Sequence, residues 1–172
     1  MITFSSDTGN IRRADLEVTA KMAEDYFGTD TDLEQMPTTK EVRDWVAENI
    51  PEYLNIIRDD QTIIGYAFML YCSLKLMNDF LAKKINEREM FEGIKKLREY
   101  KNPKVIYLCA TFVKEQYRGQ GLSTTAYVKM IEKIIKEGKI KPILFDWAFT
   151  PEGANIGKKI AEKTHLVLKR RD

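Results

Sequence analysis

Apolar and polar positions follow two different periods in the second half of the chain. The stretch Val105–Val113 carries no charge and is rich in β-branched and aromatic residues, which is typical of a buried strand. Residues 114–121 are polar and include two glycines, so the strand must end there. From Leu122 to Ile135 the apolar residues recur at helical spacing, and Gly138 is expected to cap the helix. The pattern predicts a strand, a glycine turn and a long amphipathic helix.

The first fifty residues predict one short strand and two amphipathic helices. The strand is either residues 2–5 or residues 11–13, and the pattern does not choose between them. One helix is predicted over residues 15–27 from its apolar face. The other begins at a capping box at residues 38–41 and ends before a proline.

The middle of the chain predicts a hairpin followed by a helical segment. Residues 52–58 and 62–72 are strand-like, and the polar residues between them predict a tight connection. Residues 73–102 carry apolar residues at helical spacing and charges on the outer face. This segment is long for a connection between two strands.

The C-terminal part predicts a strand, a helix and a last strand. Residues 142–149 form a second buried apolar run, a helix begins at the proline at 151, and residues 166–168 are strand-like. The succession of strands with helical crossovers predicts an α/β fold with a mixed sheet. A length of 172 residues and the lack of repeats or low-complexity linkers indicate one domain, residues 1–172.

Composition excludes several kinds of protein. Hydrophobic residues make up 44% and charged residues 31%, as in soluble globular proteins, and no apolar run approaches the ~20 residues that span a bilayer. The N-terminus lacks the features of a signal peptide. Cys72 and Cys109 lie in apolar runs and are expected to be buried without forming a disulfide, and the single histidine, His165, argues against a zinc site or a serine–histidine mechanism. We expect a cytoplasmic protein without a membrane partner or a metal.

Charge is distributed unevenly along the chain. Residues 1–60 contain 6 Lys and Arg against 14 Asp and Glu, a net charge of −8, whereas residues 61–112 carry +4 and residues 113–172 carry +6. One interpretation is that the two ends of the molecule meet ligands of opposite charge. The other is that these charges are solvated helix faces. A basic C-terminal tail without interleaved aromatic residues does not indicate a nucleic-acid partner.

A strand, a glycine turn and a helix together can form an anion site. The first N–H groups of a helix have no intrahelical partner and carry partial positive charge. Gly119 and Gly121 would let these groups approach a phosphate, and Arg118 could add a charge-assisted contact. A turn that needs glycine for its backbone alone is the alternative interpretation.

Two familiar phosphate-binding loops fit this turn less well. A P-loop requires a lysine after its last glycine, and none follows Gly121. A dinucleotide-binding fingerprint would place its third glycine at Thr124. Asp146 lies near the position of the acidic residue in that fingerprint, so a dinucleotide-binding turn remains a weaker alternative.

Residues 116–121 match the pattern Q/R-x-x-G-x-G/A, and residues 113–121 resemble V-x-P-x-Y-R-G-x-G, with Glu115 in place of the proline. On these residues the chain resembles the GNAT superfamily of N-acetyltransferases. The resemblance implies a mixed, mostly antiparallel sheet flanked by helices. Residues 73–102 would then be a helical insertion between the third and fourth strands that walls the substrate site. The family's seventh strand is missing, which leaves a sheet edge that a second subunit of a homodimer could cover.

The resemblance also implies an activity. A GNAT enzyme transfers an acetyl group directly from acetyl-CoA to an amine, here of a small molecule or a peptide. The acidic N-terminal third favours a cationic acceptor. The pantetheine arm would lie between the fourth and fifth strands, with a backbone N–H polarising the thioester and the turn holding the pyrophosphate. The residues implied to contact the cofactor are Phe112, Val113, Gln116, Arg118, Gly119, Gln120, Gly121, Leu122, Ser123 and Asn155.

The proton-transfer groups of the family do not carry over to this sequence. The glutamate of histone-type members aligns with Val105, and the tyrosine that other members place after an asparagine aligns with Glu162. By their position on the predicted strands, Tyr107 and Asp146 are the ionisable groups nearest to the expected proton-transfer groups. Each of them is either catalytic or structural. Without a base or acid in the usual place, catalysis would depend on positioning and backbone contacts. A binding module that holds acyl-CoA without turnover, or a regulatory protein, is therefore the alternative function.

Overall fold

The strands of the molecule form one mixed sheet. The computed structural model describes residues 1–9, 11–98 and 102–172. In these residues six strands lie side by side in chain order, with β1 to β4 antiparallel and β4, β5 and β6 parallel. They are β1 (Ile2–Phe4), β2 (Leu54–Asp59), β3 (Thr62–Cys72), β4 (Val105–Val113), β5 (Ile143–Asp146) and β6 (Leu168–Arg170). The predicted mixed α/β fold is confirmed.

Helices pack against this sheet. The longest, α6, contacts β2, β3, β4 and α7, while α2 contacts α3, β3 and β4, and α5 contacts β3. None of the helices in the described ranges is long and apolar enough to cross a membrane. The helices are α1 (Ser5–Thr8), α2 (Arg13–Phe27), α3 (Lys40–Asn49), α4 (Leu74–Leu81), α5 (Glu87–Ile94), α6 (Leu122–Gly138) and α7 (Pro151–Thr164).

Strand pairing decides which N-terminal segment is the first strand. Ile2, Thr3 and Phe4 pair with the end of β2. Residue 10 lies outside the described residues, and Arg13 already begins α2. The first of the two predicted segments is therefore the strand, and it ends one residue early because Ser5 starts α1.

The predicted strand, turn and helix lie where the pattern placed them, apart from the helix cap. β4 covers Val105–Val113 and α6 begins at Leu122. Gly138, however, is the last helical residue, and the cap is Lys139, with a φ of 50°. The helix therefore runs one residue further than the glycine suggested.

β4 and β5 pair over four residues and then part. The last pair is Leu108 with Asp146, after which β4 continues to Val113 while β5 ends. The strand predicted over residues 142–149 is therefore too long, because neither β4 nor β6 remains beside it beyond Asp146. The last strand also lies at residues 168–170 and not at 166–168. The separation of the two strands opens one end of the sheet.

The segment between β3 and β4 folds as two short helices. Ser73 caps α4 by accepting the Leu76 N–H, and Asn86 and Glu89 form a capping box at the start of α5. The apolar faces of both helices are buried, as their helical spacing predicts. Residues 99–101 of the predicted segment 73–102 lie outside the described residues.

Candidate active site

A cleft of about 700 Å³ opens where β4 and β5 part. One wall is residues 108–113 of β4, and the opposite wall is residues 146–150 with the first turns of α7. The start of α6 also lines the cleft, together with residues of α2 and of the loop at 35–38. The cleft therefore joins the glycine turn to a largely apolar chamber.

The glycine turn leaves the first N–H groups of α6 open to the cleft. Gly119 and Gly121 have φ angles of 80° and 71°, and a Cβ at either would have no atom within 4 Å. No side chain of the described residues caps the helix, and the Thr125 N–H binds the Gly121 carbonyl oxygen. The backbone thus requires glycine, and the space beside it is free.

Arg118 is held at the end of β4. Its Nε donates to the Val113 carbonyl oxygen at 2.9 Å, and its guanidinium lies 5.6 Å from the ring centre of Tyr26 and 5.7 Å from that of Phe112. Its side chain is exposed. A fixed positive charge therefore stands beside the open N–H groups.

Most of the residues implied to contact the cofactor surround one space. Those that line the cleft are Phe112, Val113, Arg118, Gly119, Gly121, Leu122, Ser123 and Asn155. Gln116 and Gln120 are exposed and are not among the lining residues. The Ser123 hydroxyl accepts a hydrogen bond from Thr111.

Tyr107 is buried behind the cleft wall. Its hydroxyl donates to Glu87 Oε1 at 2.6 Å, and its ring packs against Phe80 and Phe145. Burial raises the pKa of Tyr107 well above the usual value. Tyr107 is not among the lining residues, whereas Glu87, which accepts a hydrogen bond from its hydroxyl, is.

Asp146 lines the cleft, and its carboxylate is engaged by an arginine. Arg170 Nε and a terminal nitrogen donate to the two carboxylate oxygens at 2.7 and 2.6 Å. This hydrogen bonding raises the pKa of Arg170. A Cβ at Gly157 would collide with both side chains, which shows how closely α7 packs over the pair. The arrangement favours the structural interpretation of Asp146.

Glu87, at the start of α5, is a residue that sequence reasoning missed. It is 5% exposed and lines the cleft. Its Oε2 accepts the Met36 N–H at 2.6 Å, Oε1 accepts the Tyr107 hydroxyl, and Cys109 Sγ lies 3.8 Å from Oε1. Burial raises the pKa of Glu87. The spacing of residues along α5 could have indicated that Glu87 is buried, because Glu87 shares a helical face with the buried residues of α5.

Tyr66, on β3, was also missed. This residue is among those that line the cleft, and its hydroxyl is buried and has no hydrogen-bond partner in the described part of the chain. Burial raises the pKa of Tyr66, and the nearby Cys109 and Glu87 add to the effect. An unpartnered buried hydroxyl is costly and unusual in a folded protein.

The remaining chemically active residues lie elsewhere or have packing roles. His165 is exposed and ends α7 in a left-handed conformation, with a φ of 55°. Cys72 is buried, Cys109 is half-buried, and neither forms a disulfide. The acidic residues Asp30 and Asp32 are not among the residues that line the cleft.

Comparison with known proteins now identifies the family. A family model described as the acetyltransferase (GNAT) family matches residues 19–151. The chain belongs to the GNAT acetyltransferase family. Among solved structures, this GNAT protein is similar to the ribosomal-protein-alanine N-acetyltransferase from Brucella melitensis biovar Abortus 2308, with 12% identity and a TM-score of 0.53. That match covers 93% of this chain and 90% of the other, and at this identity it shows the fold.

A second structure similar to the GNAT protein is an integron cassette protein from the mobile metagenome of Cole Harbour Salt Marsh. It has 15% identity and a TM-score of 0.49, over 88% of this chain and 79% of the other. No curated protein sequence matches the chain. The family match confirms the resemblance carried by residues 113–121, and the GNAT family uses acetyl-CoA as co-substrate.

Proposed function

We propose that this protein is an acetyl-CoA-dependent N-acetyltransferase that moves the acetyl group directly to a primary amine. The observation that carries the proposal is the uncapped start of α6, which opens on the cleft between β4 and β5 beside Arg118. A helix N-terminus with free N–H groups and an adjacent arginine suits a pyrophosphate. The two unpaired cysteines support a cytoplasmic location.

Each part of the cofactor has residues suited to it. The N–H groups of Gly121 to Thr124 and the Arg118 guanidinium would hold the pyrophosphate. The arm that carries the thioester would lie between the β4 and β5 walls. A backbone N–H near Phe112 or Val113 would stabilise the negative charge that develops on the thioester oxygen. Asn155, in the first turns of α7, lies on the opposite wall and would contact the arm.

The acceptor is proposed to be cationic. Residues 1–60 carry a net charge of −8, and residues of α2 and of the loop after it line the cleft. Such a surface attracts amines over distances up to the Debye length, about 8 Å at physiological salt. These acidic residues act at long range, because Asp32 binds Gln35 and the Glu34 N–H and lies outside the lining.

A screen of amines tests the proposal. Acetyl-CoA is incubated with the protein and each of four acceptors: 2-phenylethylamine, spermidine, Nα-acetyl-lysine amide and a peptide that begins with alanine. Release of free thiol is recorded, and the acetylated product is identified by mass spectrometry. We expect amine-dependent thiol release with at least one acceptor. Binding of acetyl-CoA without thiol release for any acceptor would contradict the proposal and favour a binding module.

A further inference from the structure

The cleft contains a buried carboxylate without a cationic partner. The ion pairs of the described residues include none to Glu87, and its hydrogen-bond donors are neutral. Burying a carboxylate is costly unless a cation or enough donors compensate it. Glu87 also faces the cleft, where a ligand can reach it.

The carboxylate has room for one more donor. An ionised carboxylate has about four lone-pair positions. The Met36 N–H occupies one on Oε2 and the Tyr107 hydroxyl one on Oε1, while Cys109 Sγ, at 3.8 Å, is a weak donor. A ligand N–H can therefore bind Oε2 without displacing a protein group.

The position of Glu87 suits a reacting amine. Cys109, whose sulfur lies beside the carboxylate, is the first residue of β4 beyond its last pair with β5. Glu87 thus stands where the two strands begin to part. Tyr66, whose buried hydroxyl has no hydrogen-bond partner among the described residues, lines the same cleft, and the Glu87 charge adds to the rise in the pKa of Tyr66. The Glu87 carboxylate and the Tyr66 hydroxyl are therefore two buried polar groups that one ligand can bind.

The surroundings select the kind of amine. The charged residues that line the cleft are three cations and three acids, and Asp146 is already paired with Arg170. The rest of the chamber beside α2 is mainly apolar, with Leu16, Ala20, Phe27, Met36, Val42 and Phe68. One unpaired buried carboxylate within apolar walls suits a single ammonium group on an apolar body, and a polycation would bury charges without partners.

We infer that the acceptor is a primary amine on an apolar group, that its nitrogen binds Glu87 and Tyr66, and that Glu87 takes the amine proton during transfer. The inference rests on the proposed function. Oε2 of Glu87 takes one proton from the bound ammonium and passes it to water, which leaves a lone pair on the nitrogen. This lone pair forms the C–N bond at the thioester carbon, the C–S bond breaks, and its electron pair leaves with the coenzyme A sulfur. A second nitrogen proton passes to Oε2 of Glu87 and then to water, and the thiolate takes a proton from water. The Tyr66 hydroxyl accepts a hydrogen bond from the nitrogen.

Kinetics of Glu87→Gln with 2-phenylethylamine and acetyl-CoA test this assignment. A glutamine can accept the Met36 N–H and donate to the Tyr107 oxygen, so the fold should survive. We expect kcat to fall by about 10²–10⁴-fold, as for loss of a general base, with acetyl-CoA affinity within twofold of wild type by calorimetry. Glu92→Gln, on the exposed side of the same helix, is the matched control and should keep wild-type kinetics.

The pH profile separates a proton acceptor from a structural carboxylate. The groups that face Glu87 are Tyr107 and Cys109 on β4 and Tyr66 on β3, whose pKa values are raised by burial, and Asp32 in the preceding loop, whose pKa is lowered by hydrogen bonds. Burial raises the pKa of Glu87 above the usual glutamate value, so Glu87 is the group of this set to which we assign an acid limb of the profile. Wild-type kcat should fall in acid as Glu87 takes up a proton, and Glu87→Gln should lack this decrease.

Tyr66→Phe is a second variant whose folding is secure, because the hydroxyl it removes has no partner among the described residues. It should raise the KM for 2-phenylethylamine about 10-fold or more, as for a lost hydrogen bond to a charged group. Spermidine should be a poorer acceptor than 2-phenylethylamine for the wild type. Kinetics of folded Glu87→Gln within threefold of wild type, or a preference for spermidine, would overturn the inference while leaving the proposed function intact. If the wild type transfers acetyl to none of the screened amines, both fall.

Discussion

A substitution at Gly121 tests whether the turn before α6 binds the pyrophosphate of acetyl-CoA. The change Gly121→Glu places a carboxylate beside the open N–H groups at the start of α6. Since a Cβ at this position has no atom within 4 Å, the substitution creates no clash in the free protein. Its cost to folding comes from the backbone, because the φ of 71° lies in the left-handed region that side chains disfavour.

The expected loss of folding stability is smaller than the expected loss of acetyl-CoA binding free energy. The left-handed conformation costs roughly 1–2 kcal/mol for a residue other than glycine. In a chain of this length, that lowers the melting temperature by about 2–8 °C. A hydrogen bond to a charged group contributes roughly 1.5–3 kcal/mol, so losing even two contacts with the pyrophosphate weakens acetyl-CoA binding by about 100-fold or more. Repulsion between the two negative groups adds to this loss.

Gly9 offers a matched control. It has a φ of 68°, a Cβ there would also have no atom within 4 Å, and it ends α1 outside the cleft. Gly9→Glu should show the same drop in melting temperature with unchanged affinity for acetyl-CoA. Calorimetric titration with acetyl-CoA compares the two variants at a temperature where both are folded. Equal affinities of the two variants would refute the reasoning.

Three further predictions concern carboxylates and a tyrosine. Burial tends to raise the pKa of Asp15, but a backbone N–H and the Arg58 guanidinium outweigh it and lower the pKa. The stability it contributes is therefore complete near neutral pH and lost as pH falls below the ordinary aspartate range. In urea unfolding at pH 7 and pH 3, Asp15→Asn should show a smaller difference than wild type, and an equal difference would exclude this account. Arg170→Ala should cost roughly 3 kcal/mol by leaving the Asp146 carboxylate buried and unpaired, and an unchanged melting temperature would contradict that. Tyr107→Phe and Asp146→Asn should each lower kcat less than about tenfold, since Tyr107 does not line the cleft and the Asp146 carboxylate is already paired with Arg170; a loss of several hundredfold would make that residue a catalyst.

The sequence predicted best those elements that keep a paired neighbour along their whole length. β3 pairs with β4 from Val105 to Val113, and the uncharged run of these residues gave both ends of β4. The start of α6 followed equally well from the glycines before it. The strand predicted over residues 142–149 was too long, because where a parallel strand loses its neighbours depends on the paths of β4 and β6 and not on its own residues.

The part of the candidate site that we propose for the cofactor was predictable because it is local in sequence. Turn, arginine and helix start lie within ten residues, so one motif describes them. The part that we propose for the acceptor was not, because Tyr66 and Glu87 come from different segments and are brought to the same cleft only by the fold. Glu87 also lies in a run of polar and charged residues, 86–89, that resembles a solvated helix start. Its burial depends on packing against the backbone of Met36.

The division of the cleft between distant segments has a consequence for how such a protein diversifies. The turn at residues 118–121 follows β4, whereas the carboxylate of Glu87 comes from the helical pair that precedes β4. Mutations in that pair can change the chamber without altering the glycine turn. Exchange of residues 73–98 between relatives should therefore redirect the protein to other acceptors in few steps, while the donor stays the same.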